Sequence, residues 1–286
     1  MAGWEDVLLT HSKKGQSEIE VNENLLDLDF IPSVWNNTWG EGREDIIYKL
    51  NNLGFQTIMS NSAAFYFDMT DDLDMENSGL NWSGYVNYID SWGTEPLNVF
   101  ANKVKLQSLG IKESEIKNKV SLMESARSNF LGIQSQLWTE TAANTYEFDR
   151  MLMPNMIIFS ERAWGKKEEW LKEKSVSNQK PLLKKSWNRF ANTVGQRQLP
   201  FLSKLNKDLL FDLPKPGAII ENGILKIRQQ FPGLEIRYTT DGKKPSKTDI
   251  LFTKPVEVKS SDKIVVRLFD LNGRGGNSIK LINENN

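Results

Sequence analysis

The sequence predicts an α/β region that is followed by a small all-β domain. Up to about residue 210, short apolar strands alternate with segments of helical periodicity, which indicates parallel βα units. After the proline-containing linker at Leu213–Ala218, the pattern changes to short segments of period two, separated by Asp-Gly and Asn-Gly turns. The 286 residues are enough for one large or two medium domains.

Hydrophobic periodicity predicts the strands and helices of the α/β region. One helix is predicted where Ile46, Leu50 and Leu53 share a face and Gly54 occupies the position at which helices end. In chain order, the predicted elements are a strand at Phe30–Asn36, a helix at Arg43–Gly54, a strand at Phe55–Ser60, a loop-rich insertion at about Asn61–Thr94, a helical stretch at about Pro96–Ala126, a strand at Gly132–Thr141 and a helix at about Thr145–Trp164.

The C-terminal part divides into a helical stretch and a β-rich stretch. Residues 166–212 are charged and helical in pattern, and Trp170 and Trp187 are predicted to anchor them. The last 70 or so residues hold five or six short alternating strands, which predicts a small immunoglobulin-like sandwich.

Composition excludes several classes of function. The formal net charge is −1 and the charges are mixed along the chain, so we expect neither nucleic acid nor an anionic membrane as a partner. The chain has no cysteine, which excludes disulfides, thiolate metal sites and cysteine nucleophiles. With a single histidine there is no histidine-rich metal cluster either, and no cofactor is expected. No apolar run approaches the length of a membrane-spanning helix.

Chemically useful side chains follow the predicted strand ends, where sites lie in parallel α/β sheets and barrels. They are Trp35, Tyr66, Asp68, Trp138 and Glu140. The chain has nine tryptophans, whose large flat rings suit the C–H faces of pyranose sugars. A large aromatic core would need the same residues, and composition does not choose between these two readings.

Six segments of the chain occur in the order of motifs in one enzyme family. They are GWEDV at Gly3–Val7, SVWN at Ser33–Asn36, AFYFDM at Ala64–Met69, GLNWSGY at Gly79–Tyr85, SQLWTET with the following EFDRMLMPNMIIFSERAW, and FPGLEIRYTTDGKKPS near the C-terminus. The chain resembles the family 20 glycoside hydrolases, the β-N-acetylhexosaminidases, and its last segment resembles the domain that ends their chitobiase-like branch.

The resemblance implies a fold and its boundaries. The family has a (β/α)8 barrel, of which this chain would be the C-terminal half. Residues 1–165 would hold barrel strands five to eight, residues 166–212 a helical extension, and residues 213–286 the β-sandwich. Half a barrel would leave two open edges, near Trp4 and near Gly132.

The resemblance also implies an activity. The family removes terminal N-acetylglucosamine or N-acetylgalactosamine from glycans or chitooligosaccharides with retention of configuration, by the substrate-assisted route. In that route the acetamido oxygen of the sugar attacks the anomeric carbon. Tyr66 would then hold this oxygen in line by a hydrogen bond. The resemblance implies that the sugar ring stacks on Trp138 and that Asp68 and Glu140 accept hydrogen bonds from its hydroxyls. It also implies that Trp4 and Trp35 enclose the acetamido methyl group and that Trp82 lies on the side of the leaving sugar.

The chain departs from the family at the general acid. The family's catalytic pair is an adjacent Asp-Glu, and no Asp-Glu dipeptide occurs in the 286 residues. We therefore interpret the chain as the C-terminal portion of a longer enzyme. We expect it to be inactive in isolation and to have the missing N-terminal half of the barrel as a partner. Alternatives are a non-catalytic N-acetylhexosamine-binding protein and a partner-docking remnant. The resemblance places such an enzyme in the periplasm or outside the cell.

Overall fold

The computed structural model of the chain describes residues 1–10, 20–73, 77–206 and 208–281. The chain divides into two compact units. The first comprises Met1–Phe148 and Asn155–Ser186, and the second comprises Asp149–Pro154 and Trp187–Asn286. The domain bounds predicted at residues 165 and 212 stay predictions.

The first unit is built on a parallel sheet. Its described strands are β1 (Ala2–Trp4), β2 (Leu9–Thr10), β3 (Glu20–Val21), β4 (Ile31–Val34), β5 (Thr57–Met59) and β6 (Phe130–Ile133). Four of them are parallel neighbours in the order β1-β4-β5-β6, while β2 and β3 form a separate antiparallel pair. Spatial order follows chain order, as successive βα units require, so the predicted α/β character is confirmed. The outer strands of this sheet are β1 and β6, which carry the two predicted edges.

The described helices are distributed over both units. The α-helices are α1 (Ile46–Leu53), α2 (Ser62–Phe65), α3 (Tyr88–Trp92), α4 (Lys103–Ser108), α5 (Glu113–Ile116), α6 (Thr145–Leu152), α7 (Asn155–Trp164), α8 (Val176–Thr193) and α9 (Leu199–Leu205). Between α8 and α9 the residues Val194–Gln198 form a π-helical turn. Helix α1 confirms the prediction, and it ends at Gly54, whose φ of 106° is favourable only for glycine.

Three predicted elements differ in the structure. The single helix expected at Thr145–Trp164 is two helices, α6 and α7, because Pro154 cannot donate the backbone hydrogen bond that would continue the first. The helical stretch expected at Pro96–Ala126 holds only α4, α5 and two 3₁₀ turns. Its Asn98 and Asn102 side chains each accept from a backbone N–H and so start new short turns.

The strand expected at Gly132–Thr141 is regular only as β6. Beyond Ile133 its neighbour β5 has ended at Met59, and α2 follows. The chain instead forms a single bridge, in which Gln136 accepts from the Phe67 N–H and donates to the Phe65 carbonyl. The pairing therefore continues irregularly toward Trp138.

The hydrophobic core of the first unit lies between the parallel sheet and its helices. Its buried members are Leu8, Phe30, Val34, Ile46, Ile47, Tyr48, Leu50, Phe55, Met59, Ala64, Phe65, Val99, Phe100 and Leu106. Trp170 is also buried in this unit, as predicted. No helix of the described residues is both long and apolar enough to cross a bilayer.

The second unit contains two antiparallel sheets. Its strands are β7 (Gly217–Glu221), β8 (Ile224–Arg228), β9 (Glu235–Thr239), β10 (Ile250–Leu251), β11 (Val256–Glu257), β12 (Val265–Phe269) and β13 (Gly275–Lys280). The sheets have the orders β10-β9-β12-β13 and β11-β8-β7. Asn222 and Gly223, both at positive φ, form the hairpin turn between β7 and β8 that the Asn-Gly pair predicts. Trp187 is buried here, 6.0 Å from Phe231 between ring centroids. The predicted all-β character is confirmed.

Candidate active site

The carboxyl ends of the four parallel strands meet at one edge of the sheet. Trp4 is paired with Ser33 in the register, Val34 with Met59, and Met59 with Ile133. Side chains at or just after these positions therefore gather at the same edge, which is where sites form in parallel sheets.

Aromatic side chains from these strand ends and from the segments that follow them form one cluster within the first unit. We call Trp4, Trp35, Trp82 and Trp138 the rim tryptophans. Ring centroids lie 5.6 Å apart between Trp35 and Trp82, 6.2 Å between Trp4 and Trp138, and 5.9 Å between Tyr66 and Trp82. The cluster encloses a concavity of about 300 Å³ that is lined by Trp4, Asp6, Trp35, Tyr66, Trp82 and Trp138.

The rim tryptophans are not packed as a core would pack them. Trp82 is 47% exposed and Trp138 is 41% exposed, while Trp4 and Trp35 are half-buried. Their mutual contacts are tilted or edge-on, so ring surface remains open to solvent. An apolar concavity with open aromatic surface and a few polar groups is the usual form of a small-ligand site.

The loop that carries Trp82 is held against the chain segment after Tyr66. A side chain at Gly79 would meet the Thr70 backbone nitrogen at 2.8 Å, and Gly79 has a φ of 143°, so this approach requires glycine. The hydroxyl of Ser83 donates to the hydroxyl of Ser62 at 2.9 Å. These contacts fix Trp82 beside Tyr66.

The Tyr66 side chain is buried within the cluster, with 4% of its surface exposed. Burial raises its pKa above the ordinary value for a tyrosine, and a hydrogen bond from the Trp138 side chain acts in the opposite direction. The nearby carboxylates of Glu5 and Asp68 raise this pKa further. Tyr66 therefore keeps its proton at neutral pH and can donate it in a hydrogen bond.

Asp68 is buried and contacts the Trp138 backbone. Its Oδ1 accepts from the backbone N–H of Trp138 at 3.2 Å. Its Oδ2 is buried and receives no hydrogen bond from any residue that the structure describes. Burial raises the pKa of Asp68, the Trp138 backbone hydrogen bond lowers it, and the charge of Glu140 raises it.

Glu140 is the site candidate that the structure leaves outside the concavity. Its side chain is exposed, and it is not among the lining residues. It is close enough to Asp68 for the two charges to interact. Of the other six candidates, five line the concavity and Asp68 is hydrogen-bonded to the Trp138 backbone, and the roles assigned to all seven stay predictions.

Two carboxylates of the site were not predicted, Glu5 and Asp6. Asp6 lines the concavity, and its Oδ2 accepts from the indole N–H of Trp35 at 2.7 Å. Glu5 is fully buried and accepts from the backbone N–H groups of Trp35 and Asn36. Burial raises the pKa of Glu5 to about 7. Their position directly after Trp4 was the available signal, but their partners lie about 30 residues away in sequence.

The described residues contain no group of three His, Cys, Asp or Glu side chains that could hold a metal ion. The side chains that line the concavity can stack a ligand on the rim tryptophans, donate a hydrogen bond from Tyr66 and accept one at Asp6.

Two family models match the sequence. The model described as glycosyl hydrolase family 20, catalytic domain, matches residues 1–167, and the model described as chitobiase/beta-hexosaminidase C-terminal domain matches residues 201–278. The predicted fold class, part of a (β/α)8 barrel followed by an all-β domain, is confirmed by these matches.

Curated relatives agree with the family match. The chain is 29% identical to a beta-hexosaminidase of Vibrio vulnificus over 273 residues, which are 88% of this chain and 30% of that protein. It is 30% identical to an N,N'-diacetylchitobiase of Vibrio harveyi over 215 residues, which are 70% of this chain and 23% of that protein. The chain thus spans less than a third of the length of these relatives.

Among solved structures, the chain is similar to an exo beta-N-acetylglucosaminidase of Vibrio harveyi in complex with N-acetylglucosamine. The TM-score is 0.44 and the identity 20%, over 74% of this chain and 24% of that one. An N-acetyl-beta-hexosaminidase of Streptomyces plicatus has a TM-score of 0.44 and 17% identity, over 73% of this chain and 31% of that one.

Proposed function

The chain belongs to glycosyl hydrolase family 20, and on that premise we propose that its aromatic concavity is part of the site of an exo-acting, retaining β-N-acetylhexosaminidase. The ligand would be a terminal N-acetylglucosamine or N-acetylgalactosamine of a glycan. The observation that carries the proposal is the convergence of the four rim tryptophans on Tyr66 at the strand ends of the parallel sheet.

The concavity suits the apolar parts of such a sugar. A pyranose ring offers a C–H face, and an acetamido group adds a methyl. Trp138 has the open ring surface for stacking, while Trp4 and Trp35 line the same concavity and can enclose the methyl group. Burying apolar surface of this kind is worth about 25 cal/mol per Å².

Tyr66 is suited to orient the acetamido oxygen. Its side chain lines the concavity beside Trp138, with 6.5 Å between ring centroids, so its hydroxyl can donate to a group bound there. The raised pKa of Tyr66 keeps the hydroxyl proton in place. A hydrogen bond to the acetamido oxygen would hold this oxygen in line with the anomeric carbon, which is the entropic contribution that substrate-assisted attack needs.

Asp68 and Glu140 are suited to accept from sugar hydroxyls. A buried carboxylate oxygen without a partner carries a desolvation cost of about 1–3 kcal/mol, and Asp68 Oδ2 is such an atom among the described residues. A donating hydroxyl would remove part of this cost. Glu140 is exposed near Asp68 and would accept hydrogen bonds from the outer hydroxyls of a terminal sugar, which agrees with exo action.

The general acid is not supplied by the concavity itself. Glu5 has a pKa in the range of a general acid, about 7, but it is fully buried and both of its oxygens accept backbone N–H groups. The sequence contains no Asp-Glu dipeptide that would match the family's catalytic pair. General acid catalysis contributes ~10²–10⁴-fold in rate. The chain alone should therefore bind the sugar without hydrolysing it.

The general acid would come from a polypeptide that completes the barrel. A groove of about 580 Å³ lies beside the outer strand β6, lined by residues of that strand and of α7. Leu131 of β6 is 48% exposed and Trp164 at the end of α7 is 91% exposed, so both sides of the groove present apolar surface. An outer strand of this kind accepts a further parallel strand. The occupant we infer is the other half of an eight-stranded barrel.

Isothermal titration calorimetry with N-acetylglucosamine tests the proposed site. Weak binding, with a Kd on the order of 1 mM, is expected for the chain, and glucose should bind about tenfold more weakly. Trp138→Ala should weaken N-acetylglucosamine binding by about tenfold, which is about 1.4 kcal/mol. Trp164→Ala is the matched control, since Trp164 is exposed outside the concavity. Equal effects of the two substitutions would contradict the assignment.

Barrel completion has its own test. The purified chain should release no aryl product from an aryl N-acetylglucosaminide above background, and addition of the N-terminal half of a family member's barrel should produce turnover. A non-catalytic binding protein would keep its affinity and never gain turnover. Turnover by the chain alone would show that the general acid lies within these 286 residues.

A further inference from the structure

Trp35 is held at both ends by two consecutive carboxylates. Glu5 Oε2 accepts from the Trp35 backbone N–H at 3.1 Å, and Glu5 Oε1 accepts from the next one, that of Asn36, at 3.0 Å. Asp6 Oδ2 accepts from the indole N–H of Trp35 at 2.7 Å. Backbone and ring of this tryptophan are therefore fixed by one dipeptide.

The dipeptide is itself held to the sheet. Glu5 and Asp6 belong to a 3₁₀ turn, Glu5–Val7, that directly follows β1, and the Leu8 N–H donates to the Glu5 carbonyl at 2.8 Å. Strand β1 pairs with β4 up to Trp4 and Ser33. The turn after one strand thus clamps the residue at the end of the neighbouring strand.

The clamp determines what Trp35 presents to a ligand. Its ring meets Trp82 edge-on, with 5.6 Å between centroids at 76°, and Trp82 in turn meets Tyr66. A change in the Trp35 rotamer would therefore move the wall of the whole concavity. Since the only polar atom of the indole is already donating to Asp6, Trp35 offers the ligand an entirely apolar surface.

We propose that Glu5 and Asp6 are positioning residues for the aromatic concavity: Glu5 fixes the backbone of Trp35, and Asp6 fixes its ring and removes its donor from the ligand's reach. The role rests on the proposed function in one respect, namely that the concavity binds the acetamido group. The Trp35 ring suits a methyl group better than a hydroxyl, because a hydroxyl placed against the ring face would receive no hydrogen bond from Trp35.

The first arm of the test needs no ligand. The chain is labelled with 5-fluorotryptophan, and the ¹⁹F resonance of Trp35 is assigned by its absence in Trp35→Phe. We expect Asp6→Ala to shift and broaden this resonance, and Asp6→Asn to restore much of it, because an amide oxygen can still accept from the indole. Asp27→Ala removes an exposed carboxylate outside the concavity and is the matched control. The resonances of buried Trp170 and Trp187 report that each variant is folded.

The second arm measures binding of N-acetylglucosamine. Asp6→Ala should raise Kd about five- to tenfold, Asp6→Asn less, and Asp27→Ala not at all. A Trp35 resonance unmoved by Asp6→Ala would overturn the positioning, and so would a moved resonance with unchanged affinity. If the wild-type chain binds no N-acetylglucosamine, the proposed function fails, while the resonance arm still supports or overturns the clamp.

Discussion

Tryptophans occupy two contrasting regions of the first unit, a buried core and a partly exposed cluster at one edge of the sheet. Trp92 and Trp170 are buried, and the Trp92 indole N–H donates to the Ser186 hydroxyl at 2.8 Å. The rim tryptophans, in contrast, gather at the strand ends and keep ring surface exposed. Apolar surface left in contact with water contributes little to stability. Core packing therefore does not account for the exposed ring surface of the rim tryptophans, whereas the proposed ligand site does.

The largest expected effect is on the stability of the core region. Trp92→Ala should lower the free energy of unfolding of the first unit by about 3–5 kcal/mol, because it leaves a large cavity. Trp138→Ala should lower it by about 1 kcal/mol or less, since that ring is half-exposed and loses mainly aromatic pair contacts. Urea unfolding followed by circular dichroism measures both. Equal losses of unfolding free energy in the two variants would contradict the distinction between the buried and the exposed tryptophans.

The second effect concerns the buried carboxylate that supports the rim. The pKa of Glu5 is about 7 in the folded chain against an ordinary value of 4.5, so the folded state holds this proton more tightly than the unfolded state. The stability that this group contributes is therefore fully present below pH 4.5 and is lost as the pH rises through about 7, by about 3 kcal/mol. The groups that interact with it electrostatically are Asp6 and Tyr66.

Glu5→Gln should remove this pH dependence, because the amide does not ionise. Urea midpoints for the wild type and the variant at pH 5 and pH 8 measure the difference. Glu23→Gln, at an exposed glutamate, serves as the control. Two results would contradict buried Glu5 as the cause of the pH dependence. One is a wild-type urea midpoint that rises between pH 5 and pH 8, and the other is a Glu5→Gln midpoint that changes with pH as much as that of the wild type.

The third effect is on catalysis in a chain whose barrel has been completed. Tyr66→Phe should lower kcat by about 10²-fold, the range for removing one preorganised donor, and should change KM less. Under the proposed function the hydroxyl would steer the attacking acetamido oxygen, and its effect would be largest in the transition state. Steady-state kinetics with an aryl N-acetylglucosaminide provides both constants. A pure KM effect would reassign Tyr66 to ground-state binding.

The smallest effect is expected at the exposed rim. Glu140→Gln should raise KM about fivefold with little change in kcat, because an acceptor for sugar hydroxyls acts equally on the ground and transition states. The same kinetic assay separates the two constants. A loss confined to kcat would place Glu140 closer to the reacting atoms than its exposed position allows.

The order of the strands and the position of Trp35 directly after β4 could be predicted, because period two and helical periodicity are local properties of sequence. Tyr66 follows helix α2 and Trp138 follows an irregular segment after β6, which periodicity did not predict. The break at Pro154 was also visible locally and was missed, since the apolar stripe continues on both sides of it. The burial of Glu5 could not be predicted. It depends on backbone N–H groups of Trp35 and Asn36 that only the folded sheet brings to it.

The most direct test of the central claim is a saturation-transfer-difference NMR measurement of N-acetylglucosamine on the purified chain. When the protein is saturated, saturation should be transferred most strongly to the acetamido methyl protons and to the C–H face that stacks on Trp138. Trp138→Ala should abolish the signals of the sugar ring protons, while Trp164→Ala should leave them unchanged. Uniform saturation of the sugar, or signals that survive Trp138→Ala unchanged, would contradict the account of the aromatic concavity as an N-acetylhexosamine site.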